Sequence, residues 1–180
     1  MSRLAHIAAG LLLFSCAAIC LPQSSPAFKS DWEEKQDERN WKEMEGKLPA
    51  YPKDADLVEF FVSEASSFRF FLDATSVSIG PDGVVRFTLV ARSPSGASNV
   101  SYEGLRCKTA EYKAFAIGRS DGSWSERPTT WQKIQRKRVQ RWHEALYDDY
   151  LCKGTAPPLS VEEIARGLKG GDGLRRPRPR

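Results

Sequence analysis

Residues Val84 to Gly118, VVRFTLVARSPSGASNVSYEGLRCKTAEYKAFAIG, decide the fold. In an extended chain Val85, Phe87, Leu89 and Ala91 fall on one side and Val84, Arg86, Thr88 and Val90 on the other, because successive side chains of a strand point to opposite faces. Ser93 to Ser98, SPSGAS, is loop chemistry. Asn99 to Cys107 then sets Val100, Tyr102 and Gly104 against Ser101, Glu103 and Leu105, and Glu111 to Ile117 sets Tyr112, Ala114 and Ala116 against Lys113, Phe115 and Ile117. With Lys108 to Ala110 as the second connection, this is an antiparallel meander with one core face and one half-covered face.

Upstream, Leu57 to Val62 (LVEFFV) and Phe68 to Leu72 (FRFFL) carry the β-branched and aromatic residues of strands. Ser76 to Ile79 leads into Gly80-Pro81-Asp82-Gly83, whose Asp-Gly pair marks a hairpin turn. Downstream, Ser120 to Thr130 reads as turn chemistry with Trp124 at its centre, and Trp131 and Ile134 finish a last strand. Val139, Trp142, His143, Leu146, Tyr147 and Tyr150 recur at the three-four spacing of one helical face, which should lie on the sheet. Ser160 and Glu163 have capping-box spacing for a short helix through Leu168. The fold expected is a single α+β domain: an antiparallel β-sheet of about five to seven strands with one principal C-terminal helix packed on it.

The first residues follow a different rule. One positive charge at Arg3 precedes an apolar run from Leu4 to Ile19, which is the pattern of a secretory signal peptide and too short to span a bilayer. A small-x-small site at Ser25-Pro26-Ala27 would leave Phe28 as the mature N-terminus. The competing reading is a lipoprotein, because Leu13-Phe14-Ser15-Cys16 approximates a lipobox, although Phe14 is bulky where a small residue is usual. The chain therefore divides into residues 1–27 as signal peptide and 28–47 as a charged, flexible lead-in. Residues 48–154 form the globular β-rich domain, and 155–180 a short helix with a disordered arginine-proline tail.

Cleavage leaves two of the four cysteines, Cys107 and Cys152. In an exported protein the simplest state is a disulfide between them, the alternative being two buried thiols. Charge is lopsided: residues 28–66 carry six Lys or Arg against eleven Asp or Glu, and residues 127–180 carry thirteen against six. A basic end can face an anionic lipid, a polyanionic glycan or an acidic partner such as an envelope protein, or simply the acidic end of its own chain. Export disfavours nucleic acid as a partner.

Catalytic signatures are sparse. The chain has two histidines, His6 and His143, and His6 lies in the signal, so a histidine-based metal cluster is excluded within one mature chain. A nucleophilic triad would have to use His143, which no G-x-S-x-G motif accompanies and which sits on the expected apolar helix face. Asp73 and Glu103 are the carboxylates that could flank a glycosidic bond. No P-loop, dinucleotide fingerprint or calcium loop occurs, so no cofactor is expected. Lys133, Arg136, Lys137, Arg138 and Arg141 make a basic run near Trp131 and Trp142. Arg106, Tyr102, Tyr112, Trp124 and His143 are the candidate ligand contacts, each weighed against a packing role.

Four blocks, LPAYPKDADLVEFFV, SSFRFFLDATSVSIGPDGVVRFTLVARSPSGASNVSYEGLRC, YKAFAIGRSDGSW and HEALYDDYLC, resemble the cryptic neisserial protein-like family of bacterial exported proteins. The resemblance covers Leu48 to Cys152 and is most specific in RSPSGASNVSYEGLRC and ALYDDYLC. It implies a single domain, a cell-envelope location and a cysteine in each of those two blocks, and it implies no reaction. The expected role is a binding or assembly module of the periplasm or outer membrane. An envelope hydrolase acting on glycan or ester bonds and a lipid-anchored lipoprotein are the alternatives, and nothing indicates an enzyme over a binding protein.

Overall fold

The computed structural model describes residues 30–127, 129–135, 141–158 and 160–170. The expected signal peptide with Cys16, the basic residues 136–138, Val139 of the expected helix face and the arginine-proline tail lie outside the described residues.

Seven strands among the described residues form one antiparallel sheet: β1 (Leu57–Phe60), β2 (Arg69–Ile79), β3 (Val84–Arg92), β4 (Ser98–Arg106), β5 (Glu111–Gly118), β6 (Trp124–Glu126) and β7 (Gln132–Lys133). The order across the sheet is β1-β2-β3-β4-β5-β6, with β7 pairing along the other half of β5. Every neighbour in that path is also the neighbour in sequence, as a meander requires. The β2–β3 hairpin turns at Gly80–Gly83, where Gly80 N donates to Val84 O at 2.9 Å and Gly83 takes a left-handed φ of 76° that glycine adopts without strain. Trp124, expected inside a turn, starts β6 instead; the turn is tighter, closed by Arg119 N donating to Ser123 O at 2.8 Å.

Both faces of the central strands are covered. On one, Leu72, Val85, Phe87, Leu89 and Leu105 meet the C-terminal elements: α2 (Trp142–Ala145), a π-helical stretch Leu146–Leu151, and α3 (Val161–Gly170). The i→i+5 winding widens the turn, so Leu146 with Tyr150 and Tyr147 with Leu151 stack against the sheet as two rows, and all four are buried. Cys152 follows at once and is bonded to Cys107, just past β4, with Cα atoms 5.6 Å apart. Ser160 Oγ accepts from Glu163 N at 3.3 Å to start α3, whose Ile164 and Leu168 enter the same core. The packed unit therefore continues past Gly154, the expected boundary, because α3 has an apolar stripe to bury.

The other face holds Phe71, Val90 and Val100 under Tyr51, Leu57 and Trp124. Charge density predicts a flexible lead-in up to Lys47, yet from Trp41 onward the chain is fastened across this face. Trp41 Nε1 donates to Asp82 O at 2.8 Å, Met44 N to Asp82 Oδ2 at 3.0 Å, and Arg86 Nη2 to Met44 O at 2.6 Å. Polar residues order here because buried strand residues supply their partners. Residues before Trp41 form a separate unit. Within it, α1 (Asp31–Asn40) buries no residue and is capped by Ser30, whose N and Oγ each lie 2.8 Å from Glu33 Oε2.

Candidate functional site

Strand register sorts the candidate residues. Asp73 lies opposite Thr88 and Thr88 opposite Tyr102, whereas Glu103 lies opposite Phe87. Residues directly opposite share a face and adjacent residues do not. Asp73 and Glu103 therefore point to opposite sides of the sheet and cannot flank one bond, which corrects the pairing expected from their types. Asp73, 2% exposed, accepts from Thr75 N at 2.9 Å and Thr75 Oγ1 at 2.7 Å and shapes the irregularity that interrupts the β2–β3 register.

Two further candidates are absorbed by packing on that side. Tyr102 is 4% exposed, with its ring 5.6 Å from Phe115 and 6.3 Å from Trp124. Burial pushes its phenol up, against the opposing charge of Arg86. Arg106 is 8% exposed; its guanidinium lies 3.6 Å over the Trp41 ring and 3.1 Å from Glu111 Oε2. The Glu111 carboxyl would be raised by burial, but Thr109 and Lys133 hydrogen bonds and the charges of Lys133 and Arg106 hold it below its ordinary value. Trp124 is half-buried, its ring lies 5.4 Å from that of Tyr51 at a tilt of 49°, and its indole donates to Pro49 O at 2.9 Å. These three side chains hold the covering segment down.

The remaining two candidates, Tyr112 and His143, lie on the helix side with Glu103, which His143 contacts. Leu105 pairs with Tyr112 across β4–β5, so Tyr112 lies on the Glu103 face, and its ring stacks on His143 at 3.6 Å with 20° between planes. His143 Nε2 lies 2.7 Å from Glu103 Oε2 and 3.2 Å from Trp142 Nε1. One nitrogen cannot donate to the carboxylate and accept from the indole; the shorter, charge-assisted contact assigns Nε2–H to Glu103 and makes the Trp142 approach a packing contact. Ser101 Oγ, two residues along the strand and hence on the same face, donates to Glu103 Oε1 at 2.6 Å. Glu103, 6% exposed, is thus gripped at both oxygens.

Two clefts flank this group. One of about 470 Å³ is mixed in character, bordered by Gln132, Lys133, His143 and Glu144 with Tyr112, Ile134 and Trp142. The other, about 260 Å³, is lined by Phe68, Phe70, Leu89, Ala91 and Trp142, with Ser101 and Glu103 as its polar residues together with Asn99 and the 66–67 serines. Trp142, stacked on Phe70 at 5.5 Å and 25°, is the wall between them. An apolar cleft with few convergent polar groups is the form that small-molecule sites take. Among the described residues no group of three or more His, Cys, Asp or Glu is placed to hold a metal ion. The sequence names Glu103 and His143 separately and Trp142 as an aromatic beside the basic run, but does not single out Ser101 or Phe68 as site residues. The alternation of Ser101, Glu103 and Leu105 in β4 was the available signal for Ser101.

A disulfide-fastened helix over an antiparallel meander, with a carboxylate and an imidazole joined beneath it, defines the class, and residues 36–169 match the CNP1-like family; the chain belongs to that family. It is similar to "Cryptic neisserial protein 1" of Neisseria gonorrhoeae (strain ATCC 700825 / FA 1090), 28% identical over 150 residues that cover 73% of this chain and 72% of the relative. No solved structure matches it. Neither the family description nor the relative's name states a reaction.

Proposed function

We propose that this protein is an exported binding module of the cell envelope, with its ligand seat in the cleft above Glu103. The observation that carries the reading is an apolar cleft of about 260 Å³ with a carboxylate oriented from both sides by Ser101 and His143. The bridge between Cys107 and Cys152 supports export, since such bonds persist in oxidising compartments. An envelope protein, a glycan or an anionic lipid remains the class of macromolecular partner in which the module would work. A fragment screen read by two-dimensional NMR tests the seat: shifts should cluster at Phe68, Ser101, Glu103 and the Trp142 indole. Shifts that cluster elsewhere, or fragments that produce none, overturn it. Cell fractionation with mass measurement of the mature N-terminus tests export, and a full-length cytosolic protein would sink that half.

A hydrolase using His143 as base is the second reading, favoured by the Glu103–His143 hydrogen bond. The order of the groups counts against it: serine and histidine both bind the carboxylate, whereas in a nucleophilic triad the imidazole lies between serine and acid. Assay of ester and glycan substrates with His143→Ala decides between the readings, because a folded variant that loses turnover would establish hydrolysis.

A further inference from the structure

We propose that the cleft above Glu103 takes a primary ammonium carried on an apolar or aromatic stem, an inference that rests on the binding reading given above. An ionised carboxylate offers about four acceptor positions and no donor. Ser101 Oγ and the His143 ring use one each, one per oxygen, and among the described residues no lysine or arginine pairs with Glu103. Two acceptor positions therefore remain on a carboxylate that borders the cleft. A buried charge left with spare acceptors is stabilised by a donor that carries the opposite charge.

The walls choose what the donor is attached to. Phe68, Phe70, Leu89, Ala91 and Trp142 present carbon to the cleft, and Phe70 and Trp142 stand stacked as a fixed aromatic wall. Phe68, 36% exposed, stands at the mouth. Such walls favour an apolar stem, and aromatic faces near the carboxylate add attraction for a cation. A compact ammonium with three donors fits the spare positions, whereas a carboxylate ligand would meet Glu103 with like charge. The cleft volume of about 260 Å³ limits the stem to the size of one aromatic ring or a short alkyl chain.

The test uses the folded, oxidised protein and three probes of one shape: 2-phenylethylamine, 2-phenylethanol and phenylacetate. Titrations followed by NMR at Trp142 and Ser101 should give the order amine, alcohol, acid, with the amine bound about tenfold or more tighter than the alcohol. Glu103→Gln keeps one oxygen to accept from His143 Nε2–H while its NH2 can donate to the Ser101 hydroxyl, and it should bring amine and alcohol to equal affinity while both still shift the Phe68 and Trp142 signals. Equal binding of amine and alcohol to the unmodified protein overturns the ammonium inference and leaves the cleft reading standing. Absence of any shift with all three probes overturns both. If Glu103→Gln fails to fold by circular dichroism, Glu103→Asp serves as the second variant: it draws the carboxylate back by one methylene and should weaken the amine preference, whereas an unchanged preference would overturn the assignment to Glu103.

Discussion

Removing the Asp82 carboxylate should destabilise the protein more than any other single change on the covered face. Asp82 is the side chain at which the hairpin turn, β3 and the covering segment converge. Its oxygens accept from Met44 N at 3.0 Å, Val84 N at 3.2 Å and Arg86 Nη1 and Nη2 at 3.1 and 2.7 Å, and its backbone oxygen takes the Trp41 indole. The Arg86 and Asp82 side chains are 5% and 2% exposed. Asp82→Ala strands the Arg86 guanidinium inside, and breaking a buried pair from one side costs about 3–5 kcal/mol. For a domain of this size that lowers Tm by about 10 °C. Thermal unfolding followed by circular dichroism, with the disulfide intact, measures it. The double variant Asp82→Ala, Arg86→Met removes both charges and should recover part of the loss, because no unpaired charge remains. A single variant within about 1 kcal/mol of the parent, or a double variant worse than the single by more than the lost packing, would refute the reasoning. Acid supplies an independent check. Burial would raise the Asp82 carboxyl, but the Arg86 hydrogen bond, the Met44 and Val84 amides and the Arg86 charge outweigh it, so its pKa lies below the ordinary value. A carboxyl depressed on folding contributes stability above its unfolded pKa of about 3.9, and that stability drains away as pH falls through the folded value. Glu111, lowered in the same sense, adds to the trend. The urea midpoint should fall from about pH 5 downward, and the fall should be smaller in the double variant.

Two structural predictions accompany this one. Cys107→Ser with Cys152→Ser opens a loop whose ends are 45 residues apart and should cost about 4 kcal/mol on the chain-entropy relation. Hydrogen exchange should then quicken along Leu146–Leu151 before β3, and uniform loosening would argue that the bridge serves the whole core. Gly104→Ala places a methyl carbon 2.8 Å from Phe115 Cε2 and 2.9 Å from Val84 Cγ1. Overpacking of that kind should cost about 1–3 kcal/mol by denaturant titration, and a neutral result would show that Phe115 moves freely.

The meander was legible because its signals are local. The apolar, β-branched run of β3, the Asp-Gly turn and the Ser160 cap each depend on residues a few positions apart, and each element is present, although β3 is buried on both faces from Val84 to Val90. The helix was placed correctly against the sheet, but its π-winding was not foreseeable, since a three-four apolar spacing and two adjacent buried rows differ only once the sheet beneath is known. What failed were judgements of exposure. Arg106 is charged and Tyr102 amphipathic, and composition assigns such residues to a surface; both became buried when residues 41–51 crossed their face. That crossing rests on contacts such as Trp41 with Asp82, 41 residues apart, which no local pattern encodes. The Glu103–His143 bond, 40 residues apart, was out of reach for the same reason.

The two faces of the sheet consequently differ in what they leave free. On the covered face Arg86, Arg106 and Lys113 are held by Asp82, Glu111 and Glu43, so its charge is spent within the molecule. On the helix face, among the described residues, Trp142 of α2 borders the cleft, and the Glu103 carboxylate beside it is held by a serine and an imidazole, neither of which brings a fixed countercharge. A carboxylate in that position stabilises no strand pairing that a leucine would not serve as well, given that Leu89 and Leu105 occupy the same face. Its presence there is the physical reason to look for a ligand on the disulfide side of the sheet.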